Sequence, residues 1–285
     1  MRRLRPGVYS AASTAPREGG DVPEIGASLC RFISQKRGTA MASQAISRAR
    51  WSGEHRFFTG MTLAIFVTVF VGFARSFFLR PLFPAWPSPP EKIFYVHGAF
   101  FAAWFVLLVA QAWLVGAGRT NVHRQIGRGG VVLAVGMVVL GVVGALVAAR
   151  RPTGFVGVPV PPLQFLVVPF VDMAMFASFV ALAIAKRGDP QAHKRWMLLA
   201  SLNLITAAIA RWPGVITVGA LPLFFGLTDL FLVPMVIWDR VSRGRVHPAT
   251  KWGGLLVVAS QPLRLVVSGT AAWLAFARWA TGLLG

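Results

Sequence analysis

The chain has 285 residues, of which 55% are hydrophobic and only 13% charged, about half the roughly 25% charge of an ordinary soluble domain. Its 29 basic residues outnumber 9 acidic ones for a net charge of +20, yet they fall between long apolar runs and not on one amphipathic surface, so no nucleic-acid partner is expected. Cys30 is the only cysteine, which excludes a disulfide framework or a cysteine metal site.

Residues 1–56 are basic and lack an apolar run, so they lack the core of a secretory signal and are expected to form a disordered cytoplasmic tail. Met41 is a second candidate start. Seven later stretches hold the ~20 mostly apolar residues that a crossing of ~30 Å of hydrocarbon requires. In chain order they are 57–79, 93–117, 129–149, 163–185, 196–215, 221–238 and 253–277. The boundary between the fifth and sixth is marked only by Pro213, Gly214 and Gly219. Five prolines in 81–90 and four in 150–163 make those two connections stiff and extended.

The connections fix an expected orientation. The tail and the second, fourth and sixth connections together carry 21 Lys or Arg, the other side carries 5, and Arg75, Arg211 and Arg264 lie within spans. Basic residues are retained on the cytoplasmic side. The expectation is therefore an all-α bundle over 57–280 with seven transmembrane helices in the cell inner membrane, N-terminus cytoplasmic and C-terminus outside. Its basic face would meet anionic lipid headgroups.

Two connections echo each other. Gly118-Arg-Thr-Asn-Val-His123-Arg124 precedes span three and Gly188-Asp-Pro-Gln-Ala-His193-Lys194 precedes span five. One explanation is an old hairpin duplication. The other is shared helix-start grammar, with Asn121 and Asp189 as N-caps and Pro190 at the first helical position.

The motifs Val96-His97-Gly98, Gln111, Gly118-Arg119, His123-Arg124-Gln-Ile-Gly127, His193-Lys-Arg-Trp-Met197, Asp229 and Gly244-Arg-Val-His247-Pro-Ala-Thr250 together resemble a family of uncharacterised bacterial multi-pass membrane proteins over roughly 57–280. More distantly the chain resembles the ascorbate-type b-type transmembrane cytochromes, which hold two haems between paired histidines on a four-helix core. That resemblance implies haem b held by His123 and His193, where an inner pair would sit. For an outer pair, His97 is present, but span four offers Asp172, Met173 and Met175 in place of a histidine.

Ionisable groups inside spans are costly and have a partner or a role. His97, Asp172 and Arg211 fall in the outer part of the bilayer, where they would either line an outward polar pocket or lock helices together. Asp229 and Arg264 fall near mid-depth, and an ion pair between them is the expected reading. His55, His123, His193 and His247 lie at the cytoplasmic face. His55 is read as an interfacial residue, and the other three as either ligands or span-ending residues. His123 and His193 precede apolar positions on the same helix face, so they can point at neighbouring helices. There is no P-loop, Rossmann glycine fingerprint, HExxH or GxSxG, so no reaction follows from motif.

Three functions remain open. The leading one is a haem-binding or redox protein using His123 and His193. The second is a metal-dependent membrane hydrolase like the seven-span ceramidase and adiponectin-receptor group, whose HxxxH pair in the last span is missing here. The third is a small-solute carrier or sensor using the outer pocket.

Overall fold

The computed structural model describes residues 34–36, 53–87, 91–156, 158–215 and 221–284. The chain divides into two units, Met1–Trp51 and Ser52–Gly285. Of the first, only an exposed helical turn at 34–36 is described; the expected disordered tail, with Cys30 and Met41, otherwise lies outside the described residues.

All regular structure described in the second unit is helical. Helix α1 (Gly53–Phe78) is followed by α2 (Ile93–Gly116), α3 (Thr120–Arg150), α4 (Pro162–Ala185), α5 (Pro190–Asn203), the short α6 (Thr206–Ile209), α7 (Leu221–Arg243), α8 (Pro248–Ser268) and α9 (Ala271–Gly282). Five of these, α1 to α4 and α7, are long and apolar enough to cross a membrane, and the bent pair α8–α9 makes a sixth candidate.

Local chemistry explains the boundaries. Asp189 caps α5 by accepting from the Gln191 and Ala192 amides at 2.9 and 3.2 Å, with Pro190 at the first helical position, as the sequence suggests. Asn121 does not play the matching part: α3 begins at Thr120 and has no side-chain cap. Gly118 and Gly244 take positive φ (71° and 73°) just beyond α2 and α7, a conformation open to glycine at little cost. Proline removes a helical amide and crowds the carbonyl four residues back. Pro169 accounts for the discontinuity of α4 after Phe165, and Pro234 for that of α7 at Leu230.

Two expected spans depart from a straight rod. The stretch 196–215 is helical only to Asn203. The Leu204 and Ile205 amides then bond three residues back, the tighter 3₁₀ pattern, and the chain turns again after Ile209. The stretch 253–277 breaks after Ser268, and α9 leaves α8 at 86°. Thr270 caps α9 by accepting from the Trp273 amide at 3.2 Å.

Burial is distributed as lipid solvent requires. The broken α5–α6 stretch is the centre of the core: Leu198, Leu199, Leu202, Ile205 and Ile209 are fully buried with Phe176, Phe179, Met137 and Ile65. The outward stripes are apolar instead, as on α3, where Val132, Val135 and Val139 are 74%, 60% and 55% exposed. α1 packs closely on the break. A Cβ at Gly72 would collide with the Ala208 backbone, so only glycine admits that approach.

Candidate functional site

Polar residues collect at the two ends of the bundle. At one end meet the starts of α1, α3, α5 and α8 and the ends of α2, α4 and α7. Arg195 of α5 is fully buried there and closes on Asp239 of α7 through Nε at 3.0 Å and through a second, shorter bond from NH2. Its remaining guanidinium nitrogen donates to Gln191 O and Oε1 at 2.9 and 2.8 Å. The other Asp239 oxygen accepts from the His247 amide at 3.0 Å. Buried charge is tolerated here because each oxygen and each guanidinium nitrogen has a partner.

His247 is the N-cap of α8: its Nδ1 accepts from the Ala249 amide at 3.1 Å. Burial holds its pKa below the usual 6.5, the Arg195 and Arg243 charges push the same way, and Asp239 and Asp189 oppose them. This ring serves the structure as a cap. His55 is likewise engaged, with its ring 3.3 Å from the Thr59 hydroxyl and seated on Gly116, where a Cβ would overlap it.

His123 and His193 come together at this end. Their ring centroids are 6.3 Å apart and their planes stand at 85°. His193, in the first turn of α5, donates from Nδ1 to the Ala183 carbonyl at 2.8 Å, which leaves Nε2 as the nitrogen with a free lone pair. His123, in the first turn of α3, has a buried Nδ1 without a hydrogen-bond partner among the described residues, and so does Gln111 at Oε1. Gln111 of α2 donates from Nε2 to the His123 carbonyl at 3.2 Å. Buried polar atoms without partners are uncommon and call for an explanation.

The neighbours of the pair differ from a simple reading of the loops. Lys194 is bound to Glu54 and Arg195 to Asp239, so neither is free to meet an anionic group beside the histidines. Arg124 is exposed. Trp196 lies against Phe179 (5.4 Å between centroids) and beside Gly253 of α8.

The opposite end holds a cavity of about 300 Å³ that His97 of α2, Asp172 of α4 and Arg211, two residues beyond α6, all line. His97 donates from Nδ1 toward the Leu140 carbonyl at 3.4 Å and stacks on Phe101 at 4.1 Å. Asp172 is the partner of Arg264: NH1 reaches Oδ1 at 2.6 Å, while NH2 donates to Ser260 Oγ at 3.1 Å and lies 3.5 Å from Met175 Sδ. The pairing of Arg264 with Asp229 is thus corrected. Asp229 instead accepts from Gln261 Nε2 at 2.7 Å, because residues 261 and 264 of α8 face different neighbours, α7 and α4. Arg211 donates to the Ala207 carbonyl at 2.6 Å and sits 5.0 Å from the Phe73 ring.

Sequence reasoning missed Arg195, which it counted only among the basic residues of the connections, and Asp239, which it did not single out. A signal was present: Glu54, Asp189 and Asp239 are rare acids among 21 basic residues, and each makes a specific contact. Comparison with protein families, with curated proteins and with solved structures found no match to this chain.

Proposed function

We propose that this chain is a seven-span inner-membrane redox protein in which His123 and His193 bind one b-type haem. The observation that carries the reading is the spacing of the two rings. The His123 and His193 rings, carried on different helices, stand 6.3 Å apart between centroids, close enough that the two imidazoles could hold one haem between them. The anchored Nδ1 of His193 and the orphaned nitrogen of His123 fit that use. Two imidazoles also suit haem, which brings four ligands of its own, better than a bare hydrolytic metal, which calls on three protein ligands. Among the described residues no three His, Cys, Asp or Glu side chains gather. Bound haem would supply one-electron chemistry. The protein's part is to hold the two imidazoles from α3 and α5 at one depth.

The seven-span reading rests on the alternation of ends. α5, α6 and the chain to 215 run from the histidine end to the cavity end, and α8 returns to the cavity end again. With the basic end cytoplasmic, the histidines lie inside and the cavity outside. The likeness to the b-type cytochromes and to the multi-pass bacterial family belongs to this same reading.

Purified protein produced with ample haem is expected to show a Soret band and visible bands that sharpen on reduction. His123→Ala and His193→Ala should each abolish them while leaving the protein folded. A well-folded wild type without colour would end the proposal.

A further inference from the structure

The cavity at the far end from the histidines holds a cation without a counter-charge. Every acid in the second unit is engaged elsewhere. Glu54 binds Lys194, Glu91 faces Arg151, Asp172 binds Arg264, Asp239 binds Arg195, Asp189 caps α5 and Asp229 accepts from Gln261. The acids outside this set, Glu18, Asp21 and Glu24, belong to the other unit. Arg211 lines the cavity, and among the described residues no carboxylate reaches it; its guanidinium donates to the carbonyl of Ala207. The surrounding walls are aromatic, with Phe73, Phe101, Phe105, Phe224 and Phe225 among the lining residues.

We propose that this cavity is a binding site for an amphipathic monocarboxylate, its carboxylate on Arg211 and its apolar body among the phenylalanines. Charge balance selects the monoanion. The Asp172 charge on the wall is cancelled by Arg264, and that of Arg151 is faced by Glu91 at 3.7 Å, which leaves Arg211 as the one uncancelled charge among the lining arginines and carboxylates; Arg75, behind it, donates to the Arg211 carbonyl and stacks on Trp86. A guanidinium in a low-dielectric wall is costly without an anion, and a planar carboxylate matches its fork of donors. A volume of about 300 Å³ falls at the small end of ordinary ligand sites, roughly 300–1,000 Å³. It suits a compact ring system or one segment of an acyl chain. The site goes beyond the haem reading and does not depend on it, because none of the residues that line it belongs to the histidine pair.

The ligand could arrive from the bilayer as a fatty acid or from water as an aromatic acid, so both serve as probes. Full-length protein in nanodiscs is titrated with labelled oleate, with 2-naphthoate, and with the methyl ester of each. The expected result is saturable binding of one acid at one per chain, at least tenfold tighter than its ester, and at least tenfold weaker in Arg211→Gln. Oleate binding would identify a bilayer source and naphthoate binding a soluble one. Gly144→Ala is the second variant: a Cβ there meets only His97 and Phe94, at 3.6 and 3.7 Å, so it narrows the cavity with little disturbance of the helix. It should weaken binding without lowering the melting temperature. Esters bound as tightly as acids, acid binding unchanged in Arg211→Gln, or no saturable binding of either acid by folded protein would each overturn the proposal. Haem absorbance, read on the same samples, reports the other site separately.

Discussion

Arg264 on α8 reaches the carboxylate of Asp172 on α4 at 2.6 Å, across 92 residues of sequence, and so ties two helices of the bundle with side chains only 3% and 12% exposed. Asp172→Asn leaves the guanidinium buried without its counter-charge, which costs about 3–5 kcal/mol. Adding Arg264→Met to that variant removes the stranded cation and should recover most of the loss. Asp229→Asn keeps a hydrogen bond to Gln261 available and should cost no more than about 1 kcal/mol. Detergent melts of Asp172→Asn, Asp229→Asn, Arg264→Met and the two doubles that combine Arg264→Met with each acid variant, in two double-mutant cycles, check this. A coupling between Asp229 and Arg264 as large as that between Asp172 and Arg264 would refute it.

The cap at His247 makes helix α8 sensitive to acid. Its Nδ1 accepts the Ala249 amide and so must be unprotonated, and burial, with Arg195 and Arg243 nearby, holds its pKa below 6.5. A group with a depressed folded-state pKa contributes stability that is fully present above its unfolded value and is lost as pH falls through the folded one. The melting temperature should therefore fall from pH 7 to pH 5 in the wild type. It should fall less in His247→Asn, which caps without titrating. Equal slopes in the two proteins would show that His247 is not the titrating cap.

Much of this architecture could be read from the chain because membrane spans obey composition. The apolar runs and the cap at Asp189 follow from local chemistry. For His123 and His193 the chain gives only a common end, since each sits in the first turn of a helix that begins there; their meeting comes from tertiary packing. What local pattern could not supply is which helices are neighbours. Arg264 has acids within reach on two helices, and hydropathy does not choose between them. Nor does it register the break after Asn203, where the stretch leaves regular helical geometry and its Ala208 backbone comes to lie against Gly72 of α1, or the 86° turn after Ser268.

That fit at Gly72 gives a prediction with an internal control. A Cβ at Gly72 would collide with the Ala208 backbone, whereas one at Gly60, on the same helix, has nothing within 4 Å. Gly72→Ala should destabilise by about 1–3 kcal/mol through overpacking, with more if the broken stretch must shift. Gly60→Ala should be neutral or stabilising by up to about 1 kcal/mol, the helix preference of alanine. Equal melting temperatures for the two variants would mean that α1 does not press on the break.

The bend after Ser268 bears on where the chain finishes. α8 has 21 residues, about 31 Å at 1.5 Å each, long enough for ~30 Å of hydrocarbon, although it is α8 and α9 together that are apolar enough to count as a span. If α8 makes the crossing, α9 is left outside the bilayer core. It packs Ala277 and Ala280 inward and turns Phe276 and Trp279 outward, 41% and 60% exposed, and Trp273 ties it to the Leu163 carbonyl at the start of α4 with a 2.8 Å bond. An amphipathic helix of that kind lies along the interface, with tryptophan at headgroup level. Under the proposed orientation, with the basic end cytoplasmic, α9 would lie on the outer surface. A reporter active only outside the inner membrane should therefore give signal when fused after Gly285 and none when fused after Lys186. In a Cys30→Ser background, Arg278→Cys should react with an impermeant maleimide added to intact cells with a permeabilised outer membrane. Signal after Lys186 would reverse the orientation. Silence after Gly285, with Arg278→Cys protected from the maleimide, would mean six crossings and place the error in the broken stretch α5–α6.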